Sequence, residues 1–324
     1  MRSLKALFVT TETNEVPKYA QSFESVNGNE ADRFVFTHRR KQAQTQEMLD
    51  NDVILAAKES MPQVIVYLGA CAGYIPSPEV FAKLKSEIAP TVLMCSDAGD
   101  ANNSPWGALL KVYDQADSFN VVVAIDGRKD WEFSDRHITE LTPIDYKLFR
   151  NPPTPHKDRE MKFGFAGNIG SHRVTRFGKH HPTPRRFWLE HMANNCGLLC
   201  RNRSDTYASD ADETYKQCVD FLCDSRITPN FCETGSHEMT HVKGRVIEVG
   251  LAGGCLLEQK GSPTCNWFES GVDYLEWEFI QDVEQILERL DDPEESQQFG
   301  TRLREKVLAN HTPEKFWSRV MARL

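Results

Sequence analysis

Apolar residues along this 324-residue chain fall into short runs separated by mixed stretches compatible with helices. The runs 4–10, 62–69, 91–95 and 119–124 are strand-length and rich in Val, Ile, Leu and Phe. They predict buried β-strands, with a shorter one at 34–36. Stretches 42–58, 78–88 and 106–115 alternate with them and predict helices, the second carrying Pro78 where a first helical turn tolerates proline. Such alternation argues for an α/β domain on a mainly parallel sheet. Four prolines between 143 and 155 break the pattern and mark a linker. A second α/β unit then opens with a strand at 161–167. It continues through helices at 185–195 and 215–223, an extended piece at 227–231, an apolar stripe of Val283, Ile286, Leu287 and Leu290, and a helix at 294–308. Thr312 and Pro313 supply an N-cap and a first-turn proline for a last helix. The expected division is therefore 1–150, 151–310 and a C-terminal helix over 311–324.

The most informative stretch is 242–258, VKGRVIEVGLAGGCLLE. Val242, Val246, Val249 and Leu251 give a helix an apolar face, while Arg245 and Glu248 lie one turn apart on another. Gly253 and Gly254 end the helix, because glycine accepts the left-handed conformation of a C-cap, and 255–257 then reads as a buried strand. An arginine and a glutamate near a glycine-rich turn suit a phosphate and a ribose. The same spacing also serves an ordinary surface ion pair.

Composition is that of a soluble globular protein, and no run approaches the roughly 18 apolar residues of a membrane span. The first apolar run is too short for a signal-peptide core, and nine irregularly spaced cysteines suit a reduced, cytoplasmic protein. The net charge of -9 conceals an asymmetry. Residues 147–203 hold twelve Lys and Arg against Asp158, Glu160 and Glu190, a local balance of about +9. A basic middle in an acidic protein points to an anion site, with a solvated basic loop as the other reading.

Parallel α/β sheets bind ligands beyond the carboxyl ends of their strands, which makes Glu12, Gly69, Asp97 and Asp126 cleft candidates. Asp97 and Glu12 are the candidate general bases, although an aspartate so placed also caps the next turn. Gly167, Asn168 and Gly170 form a strand-to-helix turn whose backbone N–H groups suit a phosphate or simply a tight turn, and Arg173 follows in the basic loop. ATPases and ordinary dehydrogenases lose ground, since there is no G-x-x-x-x-G-K-[ST] and no G-x-G-x-x-G after a strand. His237-Glu-Met-Thr-His241 matches the H-E-x-x-H of zinc proteases, where histidines one helical turn apart hold the metal. The longer protease pattern needs a histidine where Ile247 stands, and Lys243 and Arg245 crowd cations beside a dication; Glu258 would complete a His-His-Glu set.

Taken together, several segments resemble glycosyltransferases of the GT-B fold, of the bacterial spore-maturation-protein type. That family carries a pattern like K-G-R-x-x-E-x-x-x-x-G-x-x-L-L, then a phenylalanine, a glycine and an acidic, aromatic strand. Here it stands as Lys243-Gly-Arg245, Glu248, Gly253-Gly254, Leu256-Leu257, then Phe268, Gly271 and Asp273-Tyr274. Phe163 to Asn168 is similar to the family's F-x-G-[NS] strand, Arg185-Arg186 to its Arg-Arg helix start, and His311-Thr312 to its ending. The likeness covers most of 60–324 and is specific over 243–274. It implies an α/β chain of two Rossmann-like domains facing across a cleft, with the last helix crossing back to the first domain.

By the same resemblance, Glu248 holds the ribose hydroxyls of a nucleotide sugar and Arg245 or Lys243 its diphosphate; Gly167, Asn168, Arg173 and Gly253 are further candidates on the donor side. A UDP- or GDP-linked donor would be the co-substrate, with no cofactor and no bound metal. Related transferases place a second acid eight residues before the ribose glutamate; here that position is Thr240, so sugar contacts do not carry over. The acceptor is a saccharide, a protein or modified DNA, the last kept open by the basic region 147–203. A zinc protease and a non-catalytic nucleotide- or anion-binding module are the readings from other classes.

Overall fold

The computed structural model describes residues 3–11, 16–36, 45–69, 75–95, 105–125, 127, 135–169, 172–174, 180–182, 184–202, 211–232 and 240–324. The chain forms two compact units, one of Met1–Asp145, Thr234–Val242 and His311–Leu324, the other of Tyr146–Glu233 and Lys243–Asn310.

In the first unit the strands are β1 (Lys5–Thr11), β2 (Glu30–Phe36), β3 (Val64–Leu68), β4 (Thr91–Cys95), β5 (Val121–Ala124) and β6 (His137–Thr139). They make one parallel sheet in the order β2-β1-β3-β4-β5-β6. Between them run α1 (Val16–Glu24), α2 (Gln46–Ser60), α3 (Pro78–Glu87) and α4 (Pro105–Gln115). The unbroken apolar run of β1 follows from burial on both faces, since successive strand side chains alternate. Leu7 and Val9 pack with Val53 of α2, Phe81 of α3 and Tyr113 of α4, while Ala6 and Phe8 pack with Tyr19 and Phe23 of α1.

The second unit opens with β7 (Met161–Gly167) and the hairpin of β8 (His172–Val174) and β9 (His180–Pro182). Then come α5 (Pro184–Cys196), β10 (Leu199–Asn202), α6 (Ala211–Cys223), β11 (Ser225–Asn230), α7 (Gly244–Ala252), β12 (Cys255–Gln259), β13 (Leu275–Trp277), α8 (Ile280–Arg289) and α9 (Pro293–Asn310). Its sheet is parallel, in the order β10-β7-β11-β12-β13. Phe163, Phe165, Ile227 and Leu257 face Leu189 of α5 and Val283 and Leu287 of α8. The helices α6, α7 and α9 pack against the same sheet and against one another. Because β7 comes first in the chain yet lies between β10 and β11, the connections leave in opposite directions there. That gap, at the carboxyl ends of the strands, is where doubly wound sheets take ligands.

The helix α7 is anchored at its far end. Gly253 adopts φ +66°, and the N–H of Gly254 returns to Val249 O at 2.9 Å. Arg159 donates to Ala252 O at 2.7 Å and Gly253 O at 3.1 Å, His156 Nε2 lies 2.8 Å from Gly253 O, and Arg304 reaches Leu251 O. Cationic and N–H donors thus meet the negative end of the helix. Burial and the charge of Arg159 hold His156 down at about 3, so its imidazole is neutral.

The last helix, α10 (Pro313–Met321), belongs to the first unit. Trp317 sets its ring 5.0 Å from Phe23 and 6.0 Å from Phe8 and donates Nε1–H to Ser22 Oγ at 3.1 Å. Arg319 forks onto the buried carboxylate of Glu140. Beyond the expected elements the structure adds the helix α1 and the strands β6, β8, β9 and β10, each strand of three or four residues. It also starts α7 at Gly244 rather than at Val242, which is buried and belongs to the first unit.

Candidate functional site

The switch point of the second sheet gathers a charged group. Arg245 and Glu248 stand on the first two turns of α7, whose N-cap, Lys243, makes no side-chain capping bond. Arg245 Nη1 bonds Glu248 Oε2 at 2.9 Å, with the two side chains 14% and 7% exposed. This is a buried pair rather than a surface pair, and desolvating both charges makes it a poor device for stability alone. The Arg245 guanidinium lies 5.6 Å from the Phe165 ring centroid. Gly167 ends β7 with φ +153°, and a Cβ there would stand 2.7 Å from Arg245 Nη2. Any other residue would be strained at this φ and would push the guanidinium aside. From α6, the Tyr215 hydroxyl donates to Glu248 Oε1 at 3.2 Å.

The structure therefore brings Gly167, Lys243, Arg245 and Glu248 to one corner of the second unit. Asn168 is exposed beside them, its carbonyl accepting from Arg185 Nη1 at 3.3 Å. Gly253 is not at this corner. It closes the opposite end of the nine-residue α7, about 13 Å away by helical rise, where it shapes the turn. The backbone of Arg173 lies in β8, and its side chain is outside the described residues, as are Glu12, Asp97, Asp126 and Gly170. Tyr215 and Phe165 escaped the sequence reading. A tyrosine thirty-three positions from its carboxylate leaves no local signal.

Among the described residues, several cations of the basic region are engaged. Arg150 pairs with Asp224, Lys162 with Asp291 at 2.5 Å, and Arg186 with Glu190 at 2.7 Å, while Arg159 spends its donors on carbonyls. Two of those acids, Asp224 and Asp291, come from outside 147–203, so Arg150 and Lys162 are balanced by charges that the count over that stretch leaves out. The protease motif also changes character. Thr240 and His241 lie ahead of α7 outside any helix, whereas the zinc-protease motif holds its metal from histidines on one helix; His237 lies outside the described residues. Glu258 is fully buried, accepting from Asn230 Nδ2 at 3.1 and 2.9 Å and from Thr264 Oγ1 at 3.3 Å. Burial pushes its carboxyl up to about 7. Among the described residues, no group of three or more His, Cys, Asp or Glu is placed to hold a metal ion, and no helix is long and apolar enough to cross a membrane.

The family described as "Glycosyl transferase-like" matches residues 185–322, which include α6 and α7 with Tyr215, Arg245 and Glu248. A search among curated protein sequences finds no match. Among solved structures, Anabaena HepE in complex with UDP and glucose is similar at TM-score 0.64 and 10% identity, covering 98% of each chain. A glycosyltransferase from Rickettsia africae is similar at TM-score 0.64 and 10% identity, over 99% of this chain and 98% of that one. The sucrose-phosphate synthase of Thermosynechococcus elongatus is similar at TM-score 0.61 and 10% identity over 100% of both. The chain thus has the fold of these GT-B glycosyltransferases along its whole length and is similar to the glycosyl transferase-like family over residues 185–322.

Proposed function

We propose that the protein is a glycosyltransferase that uses a nucleotide-sugar donor, held on the second unit at the end of β7 and the start of α7. The observation that carries this reading is the buried Glu248 carboxylate, fixed beside Arg245 at the switch point. A carboxylate accepts from two ribose hydroxyls, while Arg245, Lys243 and the N–H groups of the helix start offset the diphosphate charge. In the transfer, the bond from the anomeric carbon to the diphosphate oxygen breaks and the leaving nucleoside diphosphate takes its electron pair. A bond from the acceptor oxygen to the anomeric carbon forms, and the acceptor proton passes to a carboxylate. Lys243 and Arg245 stabilise the charge that builds on the leaving group, which is why the reading needs no metal. The HepE complex with UDP and glucose supports a uridine donor, and GDP is the other base kept in the test.

Melting of the wild type and of Glu248→Ala is to be compared with UDP, GDP, CMP and their sugars, with and without chelator. One nucleotide at about a hundred times its Kd is expected to raise the wild-type transition by roughly 5–10 °C, insensitive to chelator. Glu248→Ala is expected to lose most of that shift. An equal shift in the variant would remove Glu248 from the donor site.

Asp97 is the proposed base, with Glu12 as the second choice. Asp97→Asn is expected to cut turnover about a hundredfold with donor affinity unchanged; full activity in single-turnover assays would reject the role. For the acceptor we favour a saccharide or protein hydroxyl over DNA, because Arg150, Lys162 and Arg186 of the basic region already stand in ion pairs. A steep fall in duplex affinity with salt would reverse that preference.

A further inference from the structure

Tyr215 touches the group at the centre of the donor site. Its hydroxyl meets one carboxylate oxygen of Glu248 at 3.2 Å, and Arg245 takes the other at 2.9 Å. Two helices thus hold the two oxygens, α6 through a neutral donor and α7 through a cation. The tyrosine is half-buried while the carboxylate is nearly closed off, so the bond does more for the glutamate than for the tyrosine. An ionised carboxylate has about four acceptor directions, of which these two donors take one on each oxygen. Arg245 is also the proposed diphosphate cation. Once it turns toward phosphate, Tyr215 is a donor that stays and keeps the carboxylate from rotating with it.

We propose that Tyr215 is a positioning residue: its hydroxyl fixes the Glu248 carboxylate in the orientation that accepts the ribose hydroxyls, and so sets the preference for ribonucleoside over deoxyribonucleoside diphosphates. This rests on the donor-site role of Glu248. Holding such a group in place matters because a hydrogen-bonding site rejects the analogue that lacks the hydroxyl only while its own polar groups are correctly aimed.

The test is calorimetric titration of UDP, 2′-deoxy-UDP, GDP and 2′-deoxy-GDP into the full-length wild type, Tyr215→Phe, Glu248→Gln and the double variant. The wild type is expected to prefer the ribose form of its nucleotide about tenfold. Tyr215→Phe, which keeps the ring, should bring that ratio to about threefold or less with the melting temperature of the free protein unchanged, and the double variant should match Glu248→Gln. If Glu248→Gln collapses the ratio and Tyr215→Phe keeps it, the positioning role is wrong and the donor site stands. If no nucleotide binds the wild type, or Glu248→Gln keeps the ratio, the donor reading fails and this inference with it. A collapse accompanied by a lowered melting temperature would mark a fold defect and overturn the role as well.

Discussion

Arg159→Met is expected to destabilise the second unit by about 3–5 kcal/mol, the largest effect of any single change considered for its fold. Arg159 is 7% exposed and no carboxylate balances it in the bonds it makes. It donates instead to four carbonyls, those of Thr154, Ser225, Ala252 and Gly253, at 2.6 to 3.1 Å. Burial lowers its pKa to about 10, which leaves it charged at neutral pH. What offsets the cost of burying that charge is the negative end of α7 together with the strand-start carbonyl of Ser225. Methionine fills much of the same space but offers no donor, so the carbonyls lose the bonds from Arg159 while remaining closed to water, and that of Gly253 keeps His156. Arg159→Lys, with one ammonium in place of a planar fork, should recover only part of the loss. Urea unfolding followed by tryptophan fluorescence gives the measurement. A loss below about 1 kcal/mol for the methionine variant would mean that water reaches these carbonyls and that the anchoring argument is wrong.

This anchor shows where the sequence was legible and where it was not. The strand at 161–167 was readable to the residue, because Phe163 and Phe165 share a face and a glycine ends the run. The end of α7 was equally plain, since only a left-handed residue turns the chain there and Gly253 supplies it. Arg245 and Glu248 were legible as an i,i+3 pair, but their burial was not, because burial depends on β7 and α6 arriving from elsewhere. The role of Arg159 is hidden for the same reason. In sequence it lies beside a proline-rich linker and counts toward a basic region; in space it closes, together with His156, the end of a helix some ninety residues further on. The strands β6 and β10 failed differently. They are short and polar in part, and what makes them strands is the hydrogen-bonding edge of β5 and β7, which no local pattern announces.

Glu258 carries the second large expectation, a pH dependence of stability. Its carboxyl sits at the end of β12 opposite Asn230 and is wholly buried, and the bonds from Asn230 and Thr264 only partly offset the desolvation of a negative charge. Burial therefore raises its pKa from the ordinary 4.5 to about 7. Between those values the folded protein keeps a proton that the unfolded chain has released. The contribution is thus fully present below about pH 4.5, and it is lost as pH rises toward 7. At about 1.4 kcal/mol per pH unit the loss across this window is about 3 kcal/mol, opposite in sign to that of an ordinary salt-bridged carboxylate. Glu258→Gln keeps the shape and the acceptor oxygen without a titrating proton. Urea unfolding of the two proteins at pH 5 and pH 8 should show the wild type losing more stability than the variant as pH rises, the variant being the more stable at pH 8. Equal losses in the two would show that the carboxylate stays ionised in the fold, with Asn230, Ser262 and Thr264 solvating it well enough to replace water.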